Sequence, residues 1–100
     1  MKNMENKYLT ELKELLQNLA KNRNIGIYLY GSRARGDNFE SSDVDIGILP
    51  NDKIDAVEIA FWREIIENSN IPYHIELVNL NEVSDDFKKE IMKDAVAWNV

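Results

Sequence analysis

A chain of 100 residues with 44% hydrophobic and 30% charged side chains has the composition of a globular protein and room for one hydrophobic core. We therefore expect a single domain over residues 1–100. The absence of cysteine excludes a disulfide framework, a Cys-based zinc site and a thiol nucleophile. The net charge of -6 disfavours stable nucleic-acid binding, and no signal peptide or membrane-spanning stretch is recognised, so we expect a cytoplasmic protein.

The first half of the chain is typical of a helix followed by two strands. Leucines at steps of three and four predict a helix over residues 4–22 with one buried stripe. Alternating apolar residues predict a strand over 25–30, after which Gly31-Ser32 turns the chain. Residues 33–42 indicate at most one helical turn and then a loop, because they are rich in Gly, Asp, Asn and Ser. A second strand is predicted over 43–49.

The second half adds two helices and a third strand. A helix is predicted over residues 54–68, and its expected buried stripe comprises Ile54, Val57, Phe61 and Ile65. A strand is predicted within 71–80, and Ser84 is a plausible N-cap for a last helix. Residues 95–100 fit either the end of that helix or a short edge strand. Together these elements predict a small two-layer α/β domain, with a mixed sheet of three or four strands covered by helices on one face.

Three acidic residues share the polar face of the predicted sheet. Asp43 and Asp45 are two positions apart on one strand, so they point the same way about 6.6 Å apart along the backbone. Alternation places Glu76 of the third strand on the same face. Carboxylate oxygens are ligands that Mg²⁺ prefers, and a bound cation would offset their mutual repulsion. A solvated acidic strand face is the alternative interpretation.

The turn at Gly31-Ser32 is a candidate phosphate-binding site. Backbone N–H groups at a strand-to-helix turn can bind a phosphate, and Gly allows close approach while the Ser hydroxyl adds a hydrogen bond. A plain turn and helix cap is the alternative. Arg33 and Arg35 favour an anion here, because two cations in the first turn of a helix oppose its dipole. A solvated pair of arginines would also fit the sequence.

These pieces together match a known signature. Gly31-Ser32, ten intervening residues and Asp43-Val44-Asp45 resemble the nucleotidyltransferase signature of the DNA polymerase β superfamily. The strings Gly31-Ser-Arg-Ala-Arg-Gly36 and Ser41-Ser-Asp-Val-Asp-Ile46 are similar to those of the minimal nucleotidyltransferases, or MNT proteins. The resemblance extends from about residue 25 to residue 80, and the short chain also fits that family.

The resemblance implies a role for each matching residue. The implied catalytic and metal-binding residues are Asp43, Asp45 and Glu76, with Mg²⁺ as the metal. The implied contacts to the β and γ phosphates of a nucleoside triphosphate come from Gly31 and Ser32. To these the dipole argument adds Arg33 and Arg35 as further nucleotide-binding residues. Glu76 departs from the family, which more usually has Asp at this place.

The resemblance also implies an activity and a partner. It implies Mg²⁺-dependent transfer of AMP from ATP to a hydroxyl of a protein. Proteins of this kind are commonly antitoxins encoded beside a helical HEPN-domain toxin, so it implies that partner too. Transfer to a small molecule such as an aminoglycoside is an alternative, although relatives with that activity generally carry an additional domain for the acceptor. The sequence leaves homo-oligomerisation open.

A function of another class is also compatible with the sequence. The chain would then be a protein-binding module that has lost catalysis and neutralises its partner by contact. The helix over 54–68 carries a second apolar stripe formed by Ile59, Trp62 and Ile66. This stripe fits a partner surface or a helix wedged in the core equally well. Nucleotide transfer by the purified protein distinguishes the two classes.

Overall fold

The computed structural model describes residues 4–39 and 42–99, with side chains from residue 7 onward. Ser41 of the second motif string and Val100 of the predicted last element lie outside these residues. The elements in chain order are α1 (Met4–Leu19), β1 (Ile25–Tyr30), α2 (Ser32–Arg35), β2 (Val44–Pro50), α3 (Ala56–Glu67), β3 (Ile75–Asn79), α4 (Asp85–Met92) and β4 (Val96–Ala97). Within the described ranges, no helix has the length and apolar composition needed to cross a membrane.

The four strands form one mixed sheet in the order β3-β2-β1-β4. β1 runs antiparallel to both β2 and β4. β2 and β3 are parallel, as expected for two strands that a helix, here α3, connects by a crossover. Val96–Ala97 form the edge strand, not a continuation of the last helix, and Trp98 N donates to Ile27 O at 2.8 Å. The predicted small α/β domain with a mixed sheet is confirmed.

The hydrophobic core lies between one face of the sheet and the helices α1 and α3. Alternate residues of β1 and β2 point into it, and complete burial of each such side chain stabilises the fold by about 1.5–3 kcal/mol. The fully buried residues of these strands and of α1 are Leu12, Leu16, Ile27, Val44, Ile46 and Ile48. This face is the one that strand alternation predicted to be apolar.

α3 presents a different stripe to the core from the one expected. Its buried residues are Ile59, Trp62 and Ile66. Val57 and Phe61 of the predicted buried stripe are 77% and 57% exposed, so that assignment was wrong. The helix carries two neighbouring apolar stripes, and burying the one that contains Trp62 removes the largest side chain from water.

The opposite face of the sheet is partly covered by the chain that follows β3. The Leu80 side chain lies against Gly47 of β2, where a Cβ atom would come within 3.0 Å of it. α4 begins at the N-cap Ser84, whose side chain accepts a hydrogen bond from Phe87 N, and its residue Ile91 lines a cavity with Tyr30. α1 and α3 therefore cover the apolar face as expected, and α4 lies beside the polar one.

Candidate active site

Strand pairing places acidic and phenolic side chains in a row across the polar face. Asp45 of β2 is the parallel partner of Glu76 in β3 and the antiparallel partner of Tyr30 in β1. Directly paired residues point to the same face with their Cβ atoms about 5 Å apart. Asp43 precedes β2 and lies two residues before Asp45, on the same side of the chain. The structure therefore places all three predicted carboxylates on one face.

The electrostatics of this row are those of crowded negative charge. Burial, followed by the charges of Asp43 and Glu76, raises the pKa of the half-buried Asp45 carboxyl. Burial raises the pKa of the Tyr30 hydroxyl too, and Asp45 and Glu76 add to that shift. His74 Nε2 lies 3.3 Å from Glu76 Oε1, and both side chains are exposed. Among the described residues, no three His, Asp or Glu side chains are drawn together into a preformed metal centre.

The turn after β1 is in contact with this row. Gly31 has φ 78° and ψ -156°, a backbone conformation that is essentially restricted to glycine. A Cβ atom at Gly31 would overlap Asp45 Oδ2 and lie 3.3 Å from Asp45 Cγ. Ser32 begins α2, and its carbonyl accepts hydrogen bonds from Gly36 N and Asp37 N at 2.9 and 3.1 Å. The candidate phosphate-binding turn and the candidate metal-binding carboxylate therefore touch.

Arg33 occupies a different environment from the one expected. It is only 7% exposed, and its Nε and Nη2 atoms donate to the carbonyl oxygen of Ser42 at 3.2 and 2.7 Å. Its guanidinium carbon lies 4.4 Å from the centroid of the Tyr73 ring. The sequence predicted a nucleotide-binding or a solvated arginine, whereas the guanidinium is buried and points to the Ser42 carbonyl and the Tyr73 ring. The distance in sequence between Arg33 and Tyr73 explains why no local pattern indicated this contact.

Arg35 lies next to the turn and the carboxylates. Its side chain is exposed, with Nε 3.1 Å from Asp37 Oδ2 and Nη1 3.9 Å from Asp94 Oδ2. It lines a cavity of about 190 Å³ together with Tyr30 and Gly31. Its charge also counteracts part of the upward shift in the pKa of Asp45. Arg35 thus supplies positive charge next to the turn and the carboxylates.

A larger cavity of about 340 Å³ lies along the outer edge of β3. Its lining includes His74 and Glu76 from the strand and Arg63 and Glu67 from α3. Arg63 Nη2 donates to Leu77 O at 2.8 Å, so one outward-facing carbonyl of this edge strand is satisfied. β2 lies between β3 and β1, and the turn at Gly31 follows β1. Glu76 therefore lies between this cavity and the turn.

Comparisons with known proteins identify related sequences and folds. The chain matches the family described as "Polymerase beta, Nucleotidyltransferase" over residues 11–97. It is 27% identical over 85 residues to the "Probable protein adenylyltransferase MntA" of Haemophilus influenzae, covering 85% of this chain and 73% of that protein. A chain in the complex of tri-AMPylated Shewanella oneidensis HEPN toxin with MNT antitoxin has a TM-score of 0.68 at 19% identity, covering 93% of this chain and 70% of that one.

A second solved structure, of a toxin-antitoxin with AMP-PNP, has a TM-score of 0.69 at 21% identity and covers 86% of this chain and 71% of that chain. These structural likenesses show that the fold is shared. The family match extends through β1, the turn at Gly31-Ser32, the Asp43–Asp45 pair and β3. Since the family match covers residues 11–97 of the 100-residue chain, the chain belongs to the polymerase β nucleotidyltransferase family.

Proposed function

We propose that this nucleotidyltransferase transfers AMP from ATP to a protein hydroxyl and uses Mg²⁺ bound by Asp43, Asp45 and Glu76. The observation that carries the proposal is the packing of the Asp45 carboxylate against Gly31. It joins a turn suited to phosphate and an acidic cluster suited to a divalent cation in one site. The proposal also requires a compartment that supplies ATP, in agreement with the expected cytoplasmic location.

The donor nucleotide would occupy the side of the site formed by β1 and α2. Gly31 and Ser32 bind the β and γ phosphates, and the exposed Arg35 contributes positive charge to that end. The three carboxylates lie on one face and are the oxygen donors that Mg²⁺ prefers. Burial, followed by the charges of Asp43 and Glu76, raises the pKa of Asp45, and a bound cation would offset the like-charge part of that shift. When bound, Mg²⁺ neutralises charge on the triphosphate, the acceptor oxygen and the departing pyrophosphate.

The acceptor would approach from the edge of β3. The attacking and leaving oxygens of a phosphoryl transfer lie roughly in line, so an acceptor attacks from the side opposite the bound pyrophosphate. That side contains the cavity next to Glu76. A bond forms between the acceptor oxygen and the α-phosphorus, and the bond from that phosphorus to the pyrophosphate oxygen breaks. Glu76 would receive the hydroxyl proton.

We further propose that the protein partner is a HEPN-domain toxin, which this chain neutralises as an antitoxin. The names of two relatives support this assignment, namely the adenylyltransferase MntA and the antitoxin in complex with an AMPylated HEPN toxin. The toxin would supply the acceptor hydroxyl, and the cavity at β3 would receive the segment that carries it.

Neutralisation by contact alone is the second candidate function, and the exposed apolar side chains of α3 favour it. Val57 and Phe61 present apolar surface to solvent on the side of the helix away from the core. A surface of this kind can bind a partner without any contribution from the carboxylates. This function makes the same prediction for binding as AMP transfer but a different one for chemistry.

One experiment separates the two candidates. The chain is incubated with labelled ATP and the protein encoded by its neighbouring gene, which the proposal expects to be a HEPN protein. The reaction is run in Mg²⁺ or in EDTA, and the partner is analysed by mass spectrometry. If the chain transfers AMP, the mass of the partner increases only in Mg²⁺. Asp45→Asn abolishes this increase, whereas Phe61→Ser still modifies the partner at high protein concentration. If the chain neutralises by contact alone, the mass of the partner does not change. The Asp45→Asn variant then still inhibits the partner, whereas the Phe61→Ser variant does not.

A further inference from the structure

We propose that Arg33 is a positioning residue, which fixes the metal-binding carboxylates relative to the phosphate-binding turn and does not touch the nucleotide. This inference rests on the proposed nucleotidyl transfer. Arg33 directly follows Ser32 of the turn, yet its guanidinium is buried and points to the loop before β2. Its neighbour Arg35 is exposed beside the turn, so the two arginines have separate tasks.

The first contact of Arg33 holds the start of β2. Two of its N–H groups donate to the same oxygen, the carbonyl of Ser42, which immediately precedes Asp43. Ser42 also closes a local turn, because its N donates to Phe39 O at 3.0 Å and its Oγ accepts from Phe39 N at 2.9 Å. Arg33 therefore fixes the backbone next to Asp43 at a set distance from Ser32.

The second contact of Arg33 reaches the segment that leads into β3. The guanidinium lies over the Tyr73 ring, which meets the Tyr8 ring of α1 edge-on at a centroid distance of 6.0 Å. The next residue, His74, accepts a hydrogen bond through its carbonyl from Val44 N at 2.9 Å. The strand that carries Glu76 thus begins beside a ring that Arg33 covers. One side chain contacts segments leading to Asp43 and Glu76.

The chemistry of arginine suits this task better than that of lysine. Its planar fork donates two hydrogen bonds in a fixed geometry and stacks on an aromatic face, whereas an ammonium group is a compact point charge. Burying a cation costs free energy unless hydrogen bonds compensate it, and an apolar side chain would fill the same space without that cost. A buried guanidinium is therefore accounted for by the geometry that it imposes on the site.

The test compares Arg33→Lys with the matched control Arg23→Lys. Arg23 is likewise an arginine held by a side-chain contact, in its case an ion pair with Glu58. It lies just before the start of β1, whereas Gly31 follows the end of that strand. Calorimetry measures Mn²⁺ binding to the full chain with a non-hydrolysable ATP analogue held at saturation for each variant. We expect the half-saturating Mn²⁺ concentration to rise at least tenfold in Arg33→Lys and less than twofold in Arg23→Lys, with both variants folded at the assay temperature.

The analogue concentration separates positioning from direct phosphate contact. If Arg33 binds phosphate, a saturating analogue restores the wild-type Mn²⁺ requirement in Arg33→Lys, and the proposal is overturned. If Arg33→Lys does not fold, Tyr73→Leu replaces it, since that change keeps apolar bulk but removes the ring; an unchanged Mn²⁺ requirement there also overturns the proposal. A wild-type chain that binds no Mn²⁺ with the analogue refutes the proposed function itself, which is a distinguishable result.

Discussion

Replacing Gly31 by alanine tests whether the turn and the carboxylates act as one site. Two separate effects are expected, because the residue has a positive φ of 78° and because a Cβ atom there would overlap Asp45 Oδ2. Gly36 provides a matched control with a φ of 84°, at which a Cβ atom would meet no atom within 4 Å. Both substitutions strain the backbone, but only Gly31→Ala displaces a proposed metal ligand.

The size of each effect follows from these surroundings. A non-glycine residue in the left-handed region costs about 1–2 kcal/mol, which is the full expected loss for Gly36→Ala. Gly31 has a ψ of -156°, in a region that is even less accessible to alanine, so we expect Gly31→Ala to lower the free energy of unfolding by about 2–3 kcal/mol. Moving the Asp45 carboxylate should also weaken Mg²⁺-ATP binding at least about tenfold, or about 1.4 kcal/mol.

Two measurements on the same samples check this prediction. Urea denaturation gives the free energy of unfolding, and calorimetry gives the dissociation constant of Mg²⁺-ATP. Gly36→Ala should lose stability while binding Mg²⁺-ATP as the wild type does, whereas Gly31→Ala should lose both. If the two variants bind Mg²⁺-ATP equally well, the contact between Gly31 and Asp45 has no part in the site, and the central observation of the proposed function fails.

Three further substitutions probe the charges of the site. Asp45→Asn should raise the free energy of unfolding of the metal-free protein by less than about 1 kcal/mol, because the carboxylate is partly exposed and screened. Burial and like charges raise the pKa of Asp45, so this gain should grow as the pH rises from 3 to 7, as measured by urea denaturation. Glu76→Gln should abolish AMP transfer while Glu76→Asp retains part of it, measured as the rate at which labelled product forms. Arg35→Ala should raise the Kd of Mg²⁺-ATP at low salt and change the unfolding midpoint little, because exposed ion pairs contribute about 0–1 kcal/mol.

The placement of the carboxylates could be predicted because it depends on local rules. Strand alternation alone puts Asp43 and Asp45 on one face, and the turn residues Gly31-Ser32 mark the end of β1. The pairing of Asp45 with Glu76 required only that β2 and β3 be neighbours in register, which the polar and apolar faces of both strands favour. Each of these inferences uses a few consecutive residues.

The environment of Arg33 could not be obtained in this way. In the sequence Arg33 and Arg35 are both basic residues beside a glycine-rich loop, and helix-dipole arguments treat them alike. Their difference arises because α2 is a single turn, and two residues of rotation carry a side chain from one side of it to the other. The buried side meets the Ser42 carbonyl and the Tyr73 ring, and those partners are brought there by the tertiary fold.

The orientation of α3 shows the same limit and has a consequence for partner binding. Apolar residues cover more of this helix than one buried stripe needs, so periodicity alone leaves two rotations open. The fold buries Trp62 and thereby turns Phe61 and Val57 outward. Because apolar surface excluded from the core must face water or a partner, choosing one core stripe also defines the other as the candidate contact surface. Phe61→Ser should therefore weaken partner binding without loss of stability, whereas Trp62→Ser should unfold the domain.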